Sequence, residues 1–359
     1  MAVFFYDKIF LYIFTILKTP IMKKTAILLL LFIYSFSAKS QELEMLLLAK
    51  DDASLLIKNY MSPVMEGMAY SLNDGWYHTA KTHKKLGFDI TIIANAAIVP
   101  KSSKTFQFNE SDYQYLTLES GDSKIQAVMG GNNNSTIGVR IPEVDDYKVA
   151  EFDMPDGIGG DLPLNAVPSP MIQASLGLPF DTDISVRFLP EINTDDVKGN
   201  LIGFGVKHNL MQYFGPLDKL PLNISILGGY STMDITYDLA SINGLDGSNQ
   251  EATMTFNAFT IQTVASLDFP FITVYGAIGY DKGSSTLKLN GTYDLVYEIE
   301  GTGTTVNETI TDPINSKFNA NGARGTLGLR IGLGFLKIYG DYTIKEYNTV
   351  SAGVAFSFR

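Results

Sequence analysis

The strongest constraint on this chain is a period of two that governs its last third. Leu327, Leu329, Ile331, Leu333 and Phe335 alternate with Thr326, Gly328, Arg330, Gly332 and Gly334. Leu336, Ile338, Tyr342 and Ile344 then alternate with Lys337, Tyr339, Asp341, Thr343 and Lys345, and Val350, Ala352, Val354, Phe356 and Phe358 with Ser351, Gly353, Ala355 and Ser357. Successive side chains of a strand point to opposite faces, so this pattern predicts strands with one apolar face and one small or polar face. The same alternation runs through Phe88, Ile90, Ile92, Ala94, Ala96 and Ile98, and it returns at 172–178, 184–188, 202–206 and 222–226.

A soluble sandwich also alternates, but its strands are commonly about 5–6 residues long. The segments here run longer, near the roughly 9–11 residues of a tilted transmembrane strand. Their second face is rich in Gly, Ser and Thr, which suits a lumen. Tyr230, Phe269, Phe271, Tyr280, Tyr342 and Tyr347 fall near strand ends, as interfacial aromatic girdles do. Twelve strands are predicted, at 86–99, 111–120, 124–130, 171–178, 183–190, 201–210, 222–238, 253–268, 271–290, 320–334, 336–345 and 348–358. The periplasmic connections are then expected at 121–123, 179–182, 211–221, 269–270 and the bend near Phe335, four of the five very short, and the long connections fall on the other side. The stretch 131–170 is too long for a featureless loop. It either hides two further strands, making 14, or folds into the lumen. The expected fold class is all-β and transmembrane: an antiparallel outer-membrane β-barrel of about 12–14 strands with a short N-terminal helical plug or cap.

The amino terminus supplies the compartment. Met22 to Ser40 reads as a signal peptide: Lys23 and Lys24, an apolar run from Ala26 to Tyr34, then small residues ending in Ala38-Lys39-Ser40. Cleavage is expected between Ser40 and Gln41. Residues 1–21 are a second apolar stretch that such a signal does not need, and Met22 is the expected start. No later run approaches the length of a membrane-crossing helix, so a spanning protein must close a barrel. From 42 to 64, Leu43, Leu46, Leu47, Ile57, Tyr60, Met61 and Val64 recur at helical spacing, and Pro63 is expected to mark the helix end. The expected division is therefore 1–21, signal peptide 22–40, helical plug or cap 41–85 and barrel 86–359.

Composition removes other classes. With no Cys there is no disulfide framework, thiolate metal site or cysteine nucleophile. Residues 1–40 hold Lys8, Lys18, Lys23, Lys24, Lys39 and Asp7; taking five basic and one acidic residue from totals of 27 and 38 leaves a net charge of −15. So acidic a chain is a poor partner for nucleic acid.

Several stretches carry a family likeness: the helix followed by Asn73-Asp74-Gly75-Trp76-Tyr77, Ala174-Ser175-Leu176-Gly177-Leu178-Pro179 leading to Arg187-Phe188-Leu189-Pro190, Gly203-Phe204-Gly205-Val206-Lys207-His208, and the ending Gly353-Val354-Ala355-Phe356-Ser357-Phe358. In these the chain resembles an uncharacterised family of Bacteroidetes-type outer-membrane barrels. The last strand, with Phe356 and Phe358, also looks like the signal read by the barrel assembly machinery, although Arg359 follows it. A helical segment ahead of a barrel is similar in layout to the long-chain fatty-acid transporter family; that family's Asn-Pro-Ala has no match here. Transport of hydrophobic molecules is implied by that layout alone.

Candidate sites are few. Arg187, Arg330, Lys337, Asp341 and Lys345 share the inward parity and are expected to line the lumen, as a solute path or as ion pairs. His78 and His83 stand five apart, which suits neither one helical nor one strand face, and no metal site is expected. His208 shares parity with Ile202, Phe204 and Val206 and reads as interfacial rather than as part of a Ser-His-Asp set. The acidic run Glu143, Asp145, Asp146, Glu151, Asp153, Asp156 and Asp161 lacks a calcium-loop spacing and reads as a solvated loop. No catalytic residue and no cofactor are expected. The leading expectation is a channel or transporter for a small solute, a hydrophobic one by analogy, with the helix as plug; the alternatives are a structural or surface-binding barrel and, behind it, a membrane-embedded hydrolase. Expected partners are outer-membrane lipid, the assembly machinery and that solute.

Overall fold

The computed structural model describes residues 40–49, 51–141, 147–193, 197–215, 220–239, 245–299 and 304–358. The signal-peptide reading and the division at residue 21 lie outside the described residues.

Ten strands form the ring: β1 (Phe88–Ile98), β2 (Ala166–Leu178), β3 (Thr182–Asn193), β4 (Val197–Asn209), β5 (Leu222–Asp238), β6 (Gly247–Asp268), β7 (Ile272–Ile299), β8 (Ile314–Leu333), β9 (Leu336–Ile344) and β10 (Thr349–Phe358). Each pairs antiparallel with its neighbours in chain order, and β1 closes on β10 from Phe88↔Phe358 to Ala97↔Thr349. The end of β7 also forms a hairpin with Thr304–Thr311. An antiparallel barrel of all-β class is therefore present, with ten ring strands among the described residues where 12–14 are expected.

The two missing strands have a physical reason. Leu116–Ser120 and Lys124–Gln126 do extend, but they pair with Thr136–Ile141 and Thr105–Gln107 in two small sheets, with Tyr147–Asp153 as a third strand, and take no place in the ring. They are too short to span a bilayer. The turn expected at 121–123 is thus not a periplasmic one, whereas the connections around 179–181, 210–221, 269–271 and 334–335 share one end with Phe88 and Phe358. At the last of these Gly334 takes a positive φ of 65° that lets two residues reverse the chain.

One level of the wall is apolar outside. On β7, Ile272, Val274, Ile278 and Tyr280 face outward, and on β8 Leu327, Leu329, Ile331 and Leu333 do. Ile90 and Ile92, Ile184 to Phe188, Ile202 to Val206, Ile226, Phe259 to Leu267, and Ile338 to Ile344 continue the belt around the ring. From Ile272 to Tyr280 it is nine residues tall, the span of a tilted transmembrane strand. Within it the inward positions include the polar Thr273, Gln262, Arg324 and Thr326 beside Tyr275, Ala277 and Val264, which pack around Trp76 and Tyr77.

Above this belt the two faces exchange character. Outward positions become Asp234 and Thr236, Thr253 and Thr255, Lys282 and Ser284, Lys317 and Asn319; inward positions become Met233 and Ile235, Met254 and Phe256, Leu287 and Leu289, Ile314 and Phe318. Apolar-out and polar-in is a membrane wall, and the reverse is a water-soluble core. The 17, 22, 28 and 20 residues of β5 to β8 cross the bilayer and then continue as the wall of a head on one side of it. The chain is an outer-membrane-type barrel. No helix among the described residues is long and apolar enough to cross a membrane.

Two helices occupy the interior, α1 (Ser40–Leu47) and α2 (Asp51–Ser71). Pro63 lies inside α2 and does not end it. A proline costs a helix one hydrogen bond, and here burial of Leu56, Met61, Val64, Met65 and Met68 against the inner wall outweighs that loss. Tyr347 likewise points inward, stacked on Tyr70 at 5.3 Å, and is no girdle residue. Tyr230, Phe269, Phe271, Tyr280 and Tyr342 are exposed on the outer face.

Candidate functional site

After α2 the chain runs through the belt without regular structure, from Leu72 to Gly87, and meets the inward polar residues in two clusters. In the upper one, Asp74 accepts hydrogen bonds from Arg324 and Lys345, and Asp281 faces the same two cations at 3.2 and 3.1 Å. Lys345 also donates to the Tyr70 carbonyl at 2.8 Å and Arg324 to the Asn73 carbonyl at 3.0 Å. All four side chains are almost fully buried. Two carboxylates and two cations balance, which is what makes their burial tolerable. The β5–β8 wall supplies two of the charges, β9 runs on into Lys345, and the luminal segment supplies Asp74.

Between the clusters lies Trp76, the only tryptophan of the chain. Gly205 and Gly229, cross-strand partners in β4 and β5, leave the space it fills: a Cβ at either would come 2.7 or 2.5 Å from the indole. The Arg187 guanidinium covers the other face, 3.4 Å from the ring centroid, and donates to Gln173 at 2.9 Å and to the Leu72 carbonyl at 3.1 Å.

The lower cluster joins His78, His83, Asp89, Asp183 and Lys207. His83 reaches Asp183 through Nδ1 at 3.1 Å and Asp89 through Nε2 at 3.2 Å, so both ring nitrogens face carboxylates and the ring is held as an imidazolium. His78 meets Asp89 through Nε2 at 3.2 Å while its Nδ1 faces Arg330 at 3.2 Å. Arginine only donates, so this Nδ1 accepts and Nε2 carries the proton. Neither histidine has a free lone pair aimed at a common point, and among the described residues no group of three or more His, Asp or Glu is placed to hold a metal ion. The cluster borders a cavity of ≈ 20 Å³, room for one water, to which the unpaired Oδ1 of Asp89 can accept and the Oγ1 of Thr91 can donate or accept.

The residues expected to line the lumen divide. Arg187, Arg330 and Lys345 are inward and meet the luminal segment directly, Arg330 also pairing with Asp268 at 3.0 Å. Asp341 is inward and accepts from Tyr275 at 2.9 Å. Lys337 stays at the rim, donating to the Gly334 carbonyl at 2.7 Å. Arg324, which shares inward parity with Arg330, belongs to the same network. His208 faces outward at the inner rim, bonded to Thr182 at 2.8 Å and Tyr213 at 3.1 Å, with no Ser or carboxylate among these partners. Phe356 and Phe358 flank Phe335, centroids 6.5 and 6.3 Å away, at the inner end. On the head, Asn133, Asn134, Asp153, Asp156 and Asp161 border an open groove of ≈ 540 Å³; Glu143, Asp145 and Asp146 lie outside the described residues.

A family model described as a family of unknown function (DUF6588) matches residues 22–358. The chain belongs to this family. No curated protein matches it. Among solved structures, the DUF6588 chain is similar to the translocator domain of the autotransporter NalP from Neisseria meningitidis, at 10% identity over 87% of this chain and 99% of that one with a TM-score of 0.30. It is also similar to the attachment invasion locus protein Ail of Yersinia pestis, at 7% identity over 77% and 100% with a TM-score of 0.26. A FadL homologue of Pseudomonas aeruginosa follows at 10% identity over 76% and 89%, with a TM-score of 0.19. Scores this low carry no ligand or activity across; for the DUF6588 chain the barrel rests on its own ring of strand registers.

Proposed function

We propose that this protein is a sealed outer-membrane barrel that displays a folded head, and that its function is binding at the cell surface. The observation that carries this reading is the occupied lumen. Asp74, Trp76, Arg187, Arg324 and Lys345 fill the belt level, and the buried faces of α2 fill the head level. Opening this path would leave paired charges unpaired in a dry interior, at a cost of about 3–5 kcal/mol for each pair broken. The outer sheets and long strands meanwhile build a core of the kind that soluble domains use. In this reading lipid covers the outward belt, and Phe356 and Phe358 present the last strand to the assembly machinery.

A second reading, gated passage of a small solute, draws on the irregular backbone and polar contacts of 72–87, which are easier to rearrange than a packed helix. Planar-bilayer recording of the whole protein separates the two. The sealed reading expects no conductance steps at any voltage the bilayer tolerates. Reproducible steps, or swelling of proteoliposomes in a small solute, would overturn it.

A further inference from the structure

The contacts of the luminal segment fall in strict order along β8. Ser54 meets the Pro313 carbonyl at 3.4 Å, just before that strand, and accepts from Ser316 at 3.4 Å. Tyr70 donates to the Asn321 carbonyl at 3.2 Å, Asn73 accepts from Arg324 at 3.0 Å, and His78 meets Arg330 at 3.2 Å. At the inner end Leu86 donates to the Gly177 carbonyl at 2.8 Å, and β1 begins two residues later. The other walls agree: Ser285 donates to the Met65 carbonyl at 3.0 Å, and Ser266 accepts from the Ala80 amide at 3.1 Å. Residue numbers rise steadily from the head to the inner rim. The segment from Ser40 to Gly87 therefore crosses the whole barrel, with its early end in the head.

We infer that the barrel carries its own Ser40–Gly87 segment through its lumen and holds the early end of that segment, α1 and the first turn of α2, in the head on the outer side of the membrane. An exported chain reaches the outer membrane from the periplasm, yet Asp52 is bound in the head, where its carboxylate accepts from the amides of Gln114, Tyr115 and Leu116 at 2.7, 2.6 and 3.1 Å. The polypeptide cargo of this barrel is thus a piece of its own chain. The ring that surrounds it is closed by the unbroken β1–β10 register, and a wall of ten strands encloses about one helix.

The inference rests on the same inside–outside orientation as the proposed function, so its test carries a separate marker for each. The chain has no Cys, and single cysteines can be placed without background. Asp51→Cys and, as a second site on the same helix, Lys58→Cys report the early end of the segment. Asn307→Cys reports the head and Lys85→Cys the inner end; all four positions are exposed. Intact cells are treated with a membrane-impermeant maleimide, and each variant is first shown to keep heat-modifiable migration. The expected result is that Asp51→Cys, Lys58→Cys and Asn307→Cys label at comparable rates, while Lys85→Cys labels at least tenfold more slowly until the outer membrane is permeabilised. Labelling at Asn307 with protection at both Asp51 and Lys58 would overturn the threading and leave the orientation standing. Protection at Asn307 with labelling at Lys85 would overturn the orientation itself.

Discussion

At the scale of single residues the luminal contacts are electrostatic and steric at once. Asp74 is the one acidic side chain that the luminal segment brings to Arg324 and Lys345, and it replaces solvent for both. Asp74→Asn keeps the shape and removes the charge, leaving Asp281 alone against two buried cations. The expected loss is about 3–5 kcal/mol, the cost of breaking a buried pair, read as a lower urea midpoint for loss of heat-modifiable migration in detergent. A variant as stable as the parent would show that the segment is held by packing alone. The sequence makes Arg187, Arg330, Asp341 and Lys345 legible because parity fixes which face a strand residue takes. Asp74, His78 and His83 are not legible in the same way: they lie in irregular backbone, where no period assigns a face, and their partners Arg324, Asp89 and Asp183 lie up to 250 residues away.

At the scale of elements, the exchange of faces along β5 to β8 separates a membrane wall from a soluble one within single strands. Its trace is in the sequence. Apolar residues sit at Ile272, Val274, Ile278 and Tyr280, then at Leu287 and Leu289, one step out of phase; in β8 Ile314 and Phe318 precede Leu327, Leu329 and Ile331 with the same shift. Reading each run as one transmembrane strand hides the shift, and with it the head. The strand number is missed for a related reason: 111–120 and 124–130 alternate locally, and only pairing shows that they leave the ring. Val274→Arg, on the outward belt, is expected to destabilise by about 2–4 kcal/mol near the bilayer midplane. Ser284→Arg, also outward but above the belt, should lie within about 0.5 kcal/mol of the parent. Urea titrations of folding into lipid vesicles measure both. Equal effects at the two positions would mean that the boundary at Tyr280 is misplaced.

At the scale of the whole molecule, the question is whether segment and wall ever separate. Gly67 of α2 and Val167 of β2 offer a direct answer, because a Cβ at Gly67 would stand 3.3 Å from the Val167 Cβ, a few tenths of an ångström short of the usual disulfide range of about 3.5–4.5 Å and within reach of it by a small shift of the helix. The short contact to the Val167 Cγ2, 2.8 Å, disappears when valine becomes cysteine. In the double variant Gly67→Cys/Val167→Cys the bond is expected to form on oxidation and to change migration on unheated gels little, since it ties together groups already in contact. A sealed display barrel should then keep every surface activity of the parent, oxidised or reduced, because nothing in its work requires the lumen to clear. A gated transporter should behave otherwise: the helix and Leu72–Gly87 occupy the only route through the belt among the described residues, so a tether from α2 to the wall blocks it. Solute uptake into proteoliposomes that is lost on oxidation and regained with a reductant would decide for gating, and unchanged surface binding with no uptake in either state would decide for the seal.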